Sequence, residues 1–179
     1  GPGLSMNGVA AEITRCVLER EDKVRILDAD ALNIIAAEHI DYKGSNEGKI
    51  IITPHIMEMS RLTGKTAADI KEHMIETAKE YAIQHSCICI LKDARTVVTD
   101  GQKVYINCTG NDGMSTGGSG DVLTGLIAGM AAIGLDAFDA ACLSVYVHGK
   151  AGDLAAQQKG RTGMTASDIA EAIAYVLKR

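Results

Sequence analysis

The chain has 179 residues, 46% of them apolar and 23% charged, enough to bury a core and balanced as in a globular protein rather than a disordered one. A net charge of −5 and an aromatic content of 3%, with no Trp, argue against a nucleic-acid partner, which needs basic grooves or stacking platforms. No apolar run approaches the roughly 20 residues of a membrane helix, so no membrane partner is expected. Five cysteines without framework spacing (16, 87, 89, 108 and 142) predict reduced thiols and a cytoplasmic setting.

The chain opens on Gly1-Pro2-Gly3-Leu4-Ser5, a turn of the kind that follows a strand, so an N-terminal portion of the domain is expected upstream. Val9, Ile13, Cys16 and Val17 lie at helical spacing and predict a helix over 9–20. Val24 to Leu27 reads as a strand ending in Asp28-Ala29-Asp30, followed by a helix from Ala31 to Glu38. Lys49 to Thr53 is a β-branched run stopped by Pro54, and residues 55–63 look helical. Thr66 caps a helix predicted to reach Gln84, with Ile70, Met74, Ala78 and Tyr81 on one stripe. Cys87 to Leu91 is the third strand. Asp100-Gly101 then signals a hairpin between Thr96–Thr99 and Lys103–Ile106. Helices are expected at 120–133, 137–158 and 166–178. The alternation predicts a single α/β domain over 1–179 with a largely parallel sheet.

Open α/β sheets bind ligands at the carboxyl ends of their strands. The polar ends here are Asp28/Asp30, Thr53/His55/Glu58, Lys92/Asp93 and the turn Gly117–Asp121, which predicts one composite cleft. In that turn, Gly117-Gly118-Ser119-Gly120-Asp121 runs straight into an apolar helical pattern. Small residues at a helix start leave backbone N–H groups free, with the positive end of the helix dipole behind them. Phosphate would ordinarily repel the carboxylate of Asp121. Its presence suggests a base that takes a proton from a hydroxyl about to meet a phosphoryl group. The competing reading is a tight helix entry. No Gly-Lys-Ser/Thr ending follows, so the turn is no Walker loop.

His55 and Glu58 lie three apart on a first helical turn and project from one face. Either they form an acidic helix start, or Glu58 holds Mg²⁺, directly or through water, while His55 touches substrate. Lys92 and Arg95 are either solvated charges or contacts to a nucleotide phosphate or ribose. Asp28 and Asp30 either cap the next helix or line the cleft. His39, His73 and His85 read as surface residues and His148 as a core histidine. Cys87 and Cys89 share a strand face and read as buried small side chains.

Several motifs occur in a fixed order: Gly1-Pro2-Gly3-Leu4, Leu27-Asp28-Ala29-Asp30-Ala31-Leu32-Asn33, Ile52-Thr53-Pro54-His55 with Glu58-Met59, and Tyr105-Ile106-Asn107 with Thr109-Gly110-Asn111. Gly117-Gly118-Ser119-Gly120-Asp121-Val122-Leu123-Thr124-Gly125, Tyr146-Val147-His148-Gly149 and Ala151-Gly152-Asp153 complete the set. Over essentially its whole length the chain resembles the NAD(P)H-hydrate dehydratase family, which forms the C-terminal domain of bifunctional cofactor-repair enzymes. The resemblance implies a ribokinase-like three-layer α/β/α fold with a mostly parallel central sheet. It implies dehydration of 6-hydroxylated NADH or NADPH (NADHX, NADPHX), with ADP or ATP consumed and phosphate released. It also implies Mg²⁺ as cofactor and a homo-oligomer, commonly a tetramer.

By that resemblance Asp121 is the base that contacts the substrate hydroxyl. Gly118, Ser119 and Gly120 supply an amide anion hole. Lys92, Asp93, Ala94, Arg95 and Thr96, with Gly120, contact the adenine nucleotide, and Gly3 and His55 contact the hydrate. His55 and Glu58 stand where ribokinase-like kinases carry an Asn-x-x-Glu turn for Mg²⁺ and phosphate. Family members have about a hundred further residues before the Gly-Pro-Gly turn, and His55-Ile56-Met57-Glu58 lacks the Gly that often precedes the Glu. Two other functions stand beside this one: a ribokinase-like kinase of a small alcohol such as hydroxymethylpyrimidine or hydroxyethylthiazole, and a non-catalytic nucleotide-binding module.

Overall fold

A computed structural model describes residues 1–45 and 49–178. Strands β1 (Arg25–Leu27), β2 (Ile50–Ile52), β3 (Ile88–Leu91), β4 (Val97–Thr99) and β5 (Val104–Ile106) form one sheet in that order. β1, β2 and β3 run parallel, with Leu27 opposite Ile52 and Ile52 opposite Cys89, and β4 returns antiparallel on β3. The Ile50-Ile51-Ile52 run is buried throughout, as expected where a parallel strand is covered on both faces. Each such isoleucine stabilises the fold by roughly 1.5–3 kcal/mol relative to an exposed one.

Helix α1 (Gly8–Leu18) is capped by the Asn7 side chain, which accepts from the amide of Ala10. Its buried face is Ala10, Ala11 and Thr14, whereas Val9, Ile13 and Val17 are exposed. The apolar spacing located the helix correctly but not the face packed on Ile34. α2 (Asp30–Ala37) follows β1, and α3 (Ile56–Thr63) follows β2 and stops at Gly64, in the left-handed region at φ 73°. The long helix expected from Thr66 to Gln84 is two helices, α4 (Ala67–Glu72) and α5 (Met74–His85). His73 leaves the helical region between them, at φ −126° and ψ 47°. Ile70, Ala78 and Tyr81 still enter one core with Leu32, Met59 and Leu91. A stripe of period 3.6 survives one non-helical residue, so the pattern alone conceals the break.

The Asp100-Gly101 turn forms as predicted. The Asp100 carboxylate accepts from the amides of Gln102 and Lys103, and Gly101 takes φ 94°. Cys87 and Cys89 are buried, and burial pushes both thiols up, Cys87 to about 12. His85 is not the surface residue expected. Its ring stacks on Tyr42 and Tyr81, at centroid distances of 4.7 and 4.3 Å, and its Nδ1 lies 3.1 Å from the Tyr42 carbonyl.

The chain divides into two compact units, Gly1–Asp93 with Val97–Tyr105 and Ala94–Thr96 with Ile106–Arg179. In the second, α6 (Ser119–Ala132), α7 (Ala137–Lys159) and α8 (Ala166–Val176) pack around Ala151, Ala155, Met164, Ile169 and Ala172. Among the described residues no helix is long and apolar enough to cross a membrane.

Candidate active site

In the first unit the polar residues gather where the parallel strands end. Asp28 follows β1, Thr53 follows β2 and Lys92 follows β3. The Asp28 carboxylate accepts from Thr53 Oγ1 at 2.6 Å and pairs with Lys92 Nζ at 3.2 Å. His55 and Lys92 face each other in a parallel β-bridge, and the Lys92 amide donates to the Pro54 carbonyl. Asp28 therefore does not cap α2. The cap position belongs to Ala29, which makes no side-chain hydrogen bond. Asp30 accepts from the Ser5 amide at 2.9 Å and so ties down the loop that carries Gly3, itself exposed at φ 73°.

His55 caps α3. Its Nδ1 accepts from the amides of Met57 and Glu58 at 3.0 and 3.3 Å, and the Glu58 carboxylate accepts from the His55 amide at 2.8 Å. This reciprocal arrangement is a capping box with a histidine in the usual Ser/Thr place. Because Nδ1 accepts, the ring proton of neutral His55 is assigned to Nε2, which lies 3.5 Å from the second Glu58 oxygen. The ring is half exposed and Glu58 is buried, so of this pair the imidazole is the side chain that a ligand can reach.

That use of Glu58 bears on Mg²⁺. Among the described residues no three His, Cys, Asp or Glu side chains gather as a metal cage. One buried carboxylate already engaged in a cap fits only the mode in which Mg²⁺ keeps its waters and takes other oxygens from phosphates. The residues are compatible with contact through water and do not by themselves form a site.

In the second unit, Gly118 stands at the N-cap of α6 in the left-handed region, φ 87°, and contributes no side chain to cap it. A Cβ at that position would come within 3.1 Å of the Ala166 Cβ. Ser119 is buried, Gly120 half-buried and Asp121 exposed in the first turn. The opening turn is thus built of small residues with no side-chain cap, the Ser119 amide donating to the Thr116 carbonyl at 3.2 Å, and with one solvent-facing carboxylate. Ser119 Oγ lies 3.5 Å from Nε2 of the buried His148 on α7. Of the segment proposed to meet nucleotide, Lys92 is half-buried, Asp93, Ala94 and Arg95 are exposed, and Thr96 accepts from the Asn107 amide at 2.9 Å.

Sequence reasoning left Asp28 undecided and did not foresee what Thr53 and His148 touch. It also missed Asp153, whose carboxylate accepts from the Gly110 amide and from Asn111 Nδ2, both at 3.1 Å, and so fixes the loop before the glycine turn. The partners in each case are far apart in the chain. Only the order of motifs, with Thr109-Gly110-Asn111 preceding Ala151-Gly152-Asp153, hinted at them.

A mostly parallel sheet with polar carboxyl ends in one unit, and a glycine-opened helix bearing an acidic first turn in the other, make this an α/β protein. The chain belongs to the NAD(P)H-hydrate dehydratase family, whose model matches residues 1–175. It is 47% identical over 180 residues to a bifunctional NAD(P)H-hydrate repair enzyme of Moorella thermoacetica, covering 99% of this chain and 34% of that protein. Its fold is that of an ADP/ATP-dependent NAD(P)H-hydrate dehydratase from Bacillus subtilis, crystallised with ATP and Mg²⁺, with a TM-score of 0.88 and 31% identity over 98% of this chain and 63% of that one. A ribokinase-like superfamily protein from Enterococcus faecalis matches with a TM-score of 0.85 and 26% identity, over 98% of this chain and 61% of that one. The fold is accordingly ribokinase-like α/β. The chain spans about a third of the Moorella relative and under two thirds of the solved structures.

Proposed function

We propose that this chain takes part in the nucleotide-dependent dehydration of NADHX or NADPHX to NADH or NADPH, with ADP or ATP as phosphoryl donor. The observation that carries the reading is the start of α6: a glycine N-cap, no side-chain cap on the amides and the Asp121 carboxylate within one turn. Gly118, Ser119 and Gly120 hold the transferring phosphoryl group through backbone N–H groups, the Ser119 amide exchanging its 3.2 Å bond to the Thr116 carbonyl for a phosphate oxygen. Asp121 removes the proton from the hydrate's hydroxyl as that oxygen attacks the terminal phosphorus, and the bond to the nucleotide's bridging oxygen breaks. AMP or ADP departs. The hydrate's own carbon–oxygen bond, now part of a phosphate ester, then breaks with its electron pair going to phosphate, helped by the lone pair of the ring nitrogen. Loss of a proton from the adjacent ring carbon restores the dihydropyridine. Hydroxide is a poor leaving group near neutral pH, and phosphate is a good one. That explains phosphoryl-transfer machinery in a lyase.

Gly3 and the exposed imidazole of His55 contact the hydrate, while Lys92, Asp93, Ala94, Arg95 and Thr96 contact the adenine nucleotide. Glu58 would hold Mg²⁺ through water, and the ion would supply charge neutralisation on the nucleotide phosphates. The five free thiols fit a reducing, cytoplasmic setting.

The test incubates the purified protein with chemically hydrated NADH, Mg²⁺ and either ADP or ATP, following absorbance near 340 nm. Recovery that depends on nucleotide, with equal phosphate release, establishes the repair reaction and names the donor. A folded protein that binds nucleotide without recovering absorbance overturns it in favour of a small-alcohol kinase or a binding module.

A further inference from the structure

Asp28 is 2% exposed, and the reaction outlined above makes no use of it. One of its carboxylate oxygens, Oδ1, meets both Thr53 Oγ1 (2.6 Å) and Lys92 Nζ (3.2 Å), so a single atom joins residues from the ends of three adjacent parallel strands. Thr53 is fully buried, and the Lys92 side chain retains 22% exposure. A buried carboxylate is expensive to desolvate, and apolar side chains would close three strand ends at lower cost. The charge therefore calls for a reason beyond stability.

The backbone next to it is also unusual. Ala29 takes φ 50° and ψ −117°, a region that L-residues rarely adopt and that persists only where surrounding structure enforces it. It turns the chain sharply between the buried Asp28 and the start of α2. Lys92 carries a point charge on a flexible four-carbon stem, which loses much rotamer freedom on meeting a ligand unless something holds it beforehand.

We propose that Asp28 is the positioning residue for Lys92: its carboxylate, steered by the Thr53 hydroxyl, holds the ammonium at the carboxyl end of β3 ready for the phosphates of an adenine nucleotide. The inference rests on the nucleotide-binding reading of residues 92–96. Asp28 acts only through Lys92, touching neither nucleotide nor hydrate. Its loss therefore weakens nucleotide binding and leaves chemistry at saturating nucleotide largely intact.

The test measures ADP binding by calorimetry for the wild-type protein, Asp28→Asn, Lys92→Met and the double variant, with nucleotide KM and kcat for the first two. We expect Asp28→Asn to weaken ADP about tenfold and raise KM similarly, with kcat within about threefold of wild type. The double variant should bind no more weakly than Lys92→Met alone. Wild-type affinity in Asp28→Asn, or losses that add in the double variant, overturn the inference and leave a purely structural carboxylate. Should Asp28→Asn fail to fold, Thr53→Val keeps the charge but releases its steering hydrogen bond. Weaker ADP binding that disappears in a Lys92→Met background supports the proposal, and unchanged binding overturns it. A folded wild-type protein that binds no ADP overturns the nucleotide reading itself, and the inference with it. ADP binding by wild type with Asp28→Asn unchanged overturns the inference alone.

Discussion

Helices α3 and α6 each carry a carboxylate in the first turn, yet they treat their free amides in opposite ways. At α3 the His55 ring and the Glu58 carboxylate exchange hydrogen bonds with the backbone, so the helix start is satisfied from within. At α6 the cap is Gly118, which has no side chain to offer, and the Asp121 carboxylate stays solvent-facing. A closed cap stabilises the fold. An open one keeps its amides and the helix dipole available to an anion. α3 thus holds a half-exposed imidazole rigidly, whereas α6 leaves its first turn without a side-chain cap beside an exposed carboxylate.

The sharpest way to break this contrast is Asp121→Asn. Losing a general base should cut turnover by about 10²–10⁴-fold while ADP affinity stays within a few-fold, read by absorbance recovery and calorimetry. Surviving turnover would remove Asp121 from the role of base. Next comes Gly118→Val. A β-branched residue at φ 87°, with its Cβ close to Ala166, should cost about 1–2 kcal/mol. Melting temperature should fall by several degrees, and ADP affinity should fall more than tenfold as the first turn is re-aimed. Wild-type ADP affinity in this variant would mean that the open cap is no phosphate site.

At α3 a pair of variants separates the cap from the contact. His55→Ala should lose about 1 kcal/mol of cap stabilisation, seen as a melting shift of roughly 2–4 °C. His55→Asn keeps a good capping side chain and should melt near wild type. Both should raise KM for the hydrate, and if Asn leaves it unchanged, His55 is a cap only.

The smallest effect belongs to the sheet. Burial raises the Cys87 thiol to about 12 from an ordinary value near 9, so the native state keeps a proton that the unfolded chain releases. Its contribution is fully present below pH 9 and is lost as pH rises toward 12. Chemical denaturation across that window should show stability falling with pH, with a shallower slope in Cys87→Ala. Iodoacetamide should label exposed Cys16 and Cys108 well before Cys87 and Cys89.

Much of this was legible in the chain. The three parallel strands and the hairpin fell within a residue or two of their predicted ends, since β-branched runs and turn residues act locally. The glycine turn and the His55/Glu58 pair were also visible, because a cap and its partner sit three residues apart. The inward face of α1 was not, because alanines at its close approach to Ile34 outrank larger apolar residues that point outward. The break at His73 was hidden by a stripe that continues through it.

The sequence by itself determined the order of elements, most helix ends, and which short polar segments close the strands and open the helices, because each depends on residues within about one turn of one another. Tertiary structure alone decided what those segments are attached to. Lys92 meets a carboxylate 64 residues away, and Ser119 approaches a histidine 29 residues on. Such pairs come from the sheet's parallel register and from helix packing, and no local periodicity records them.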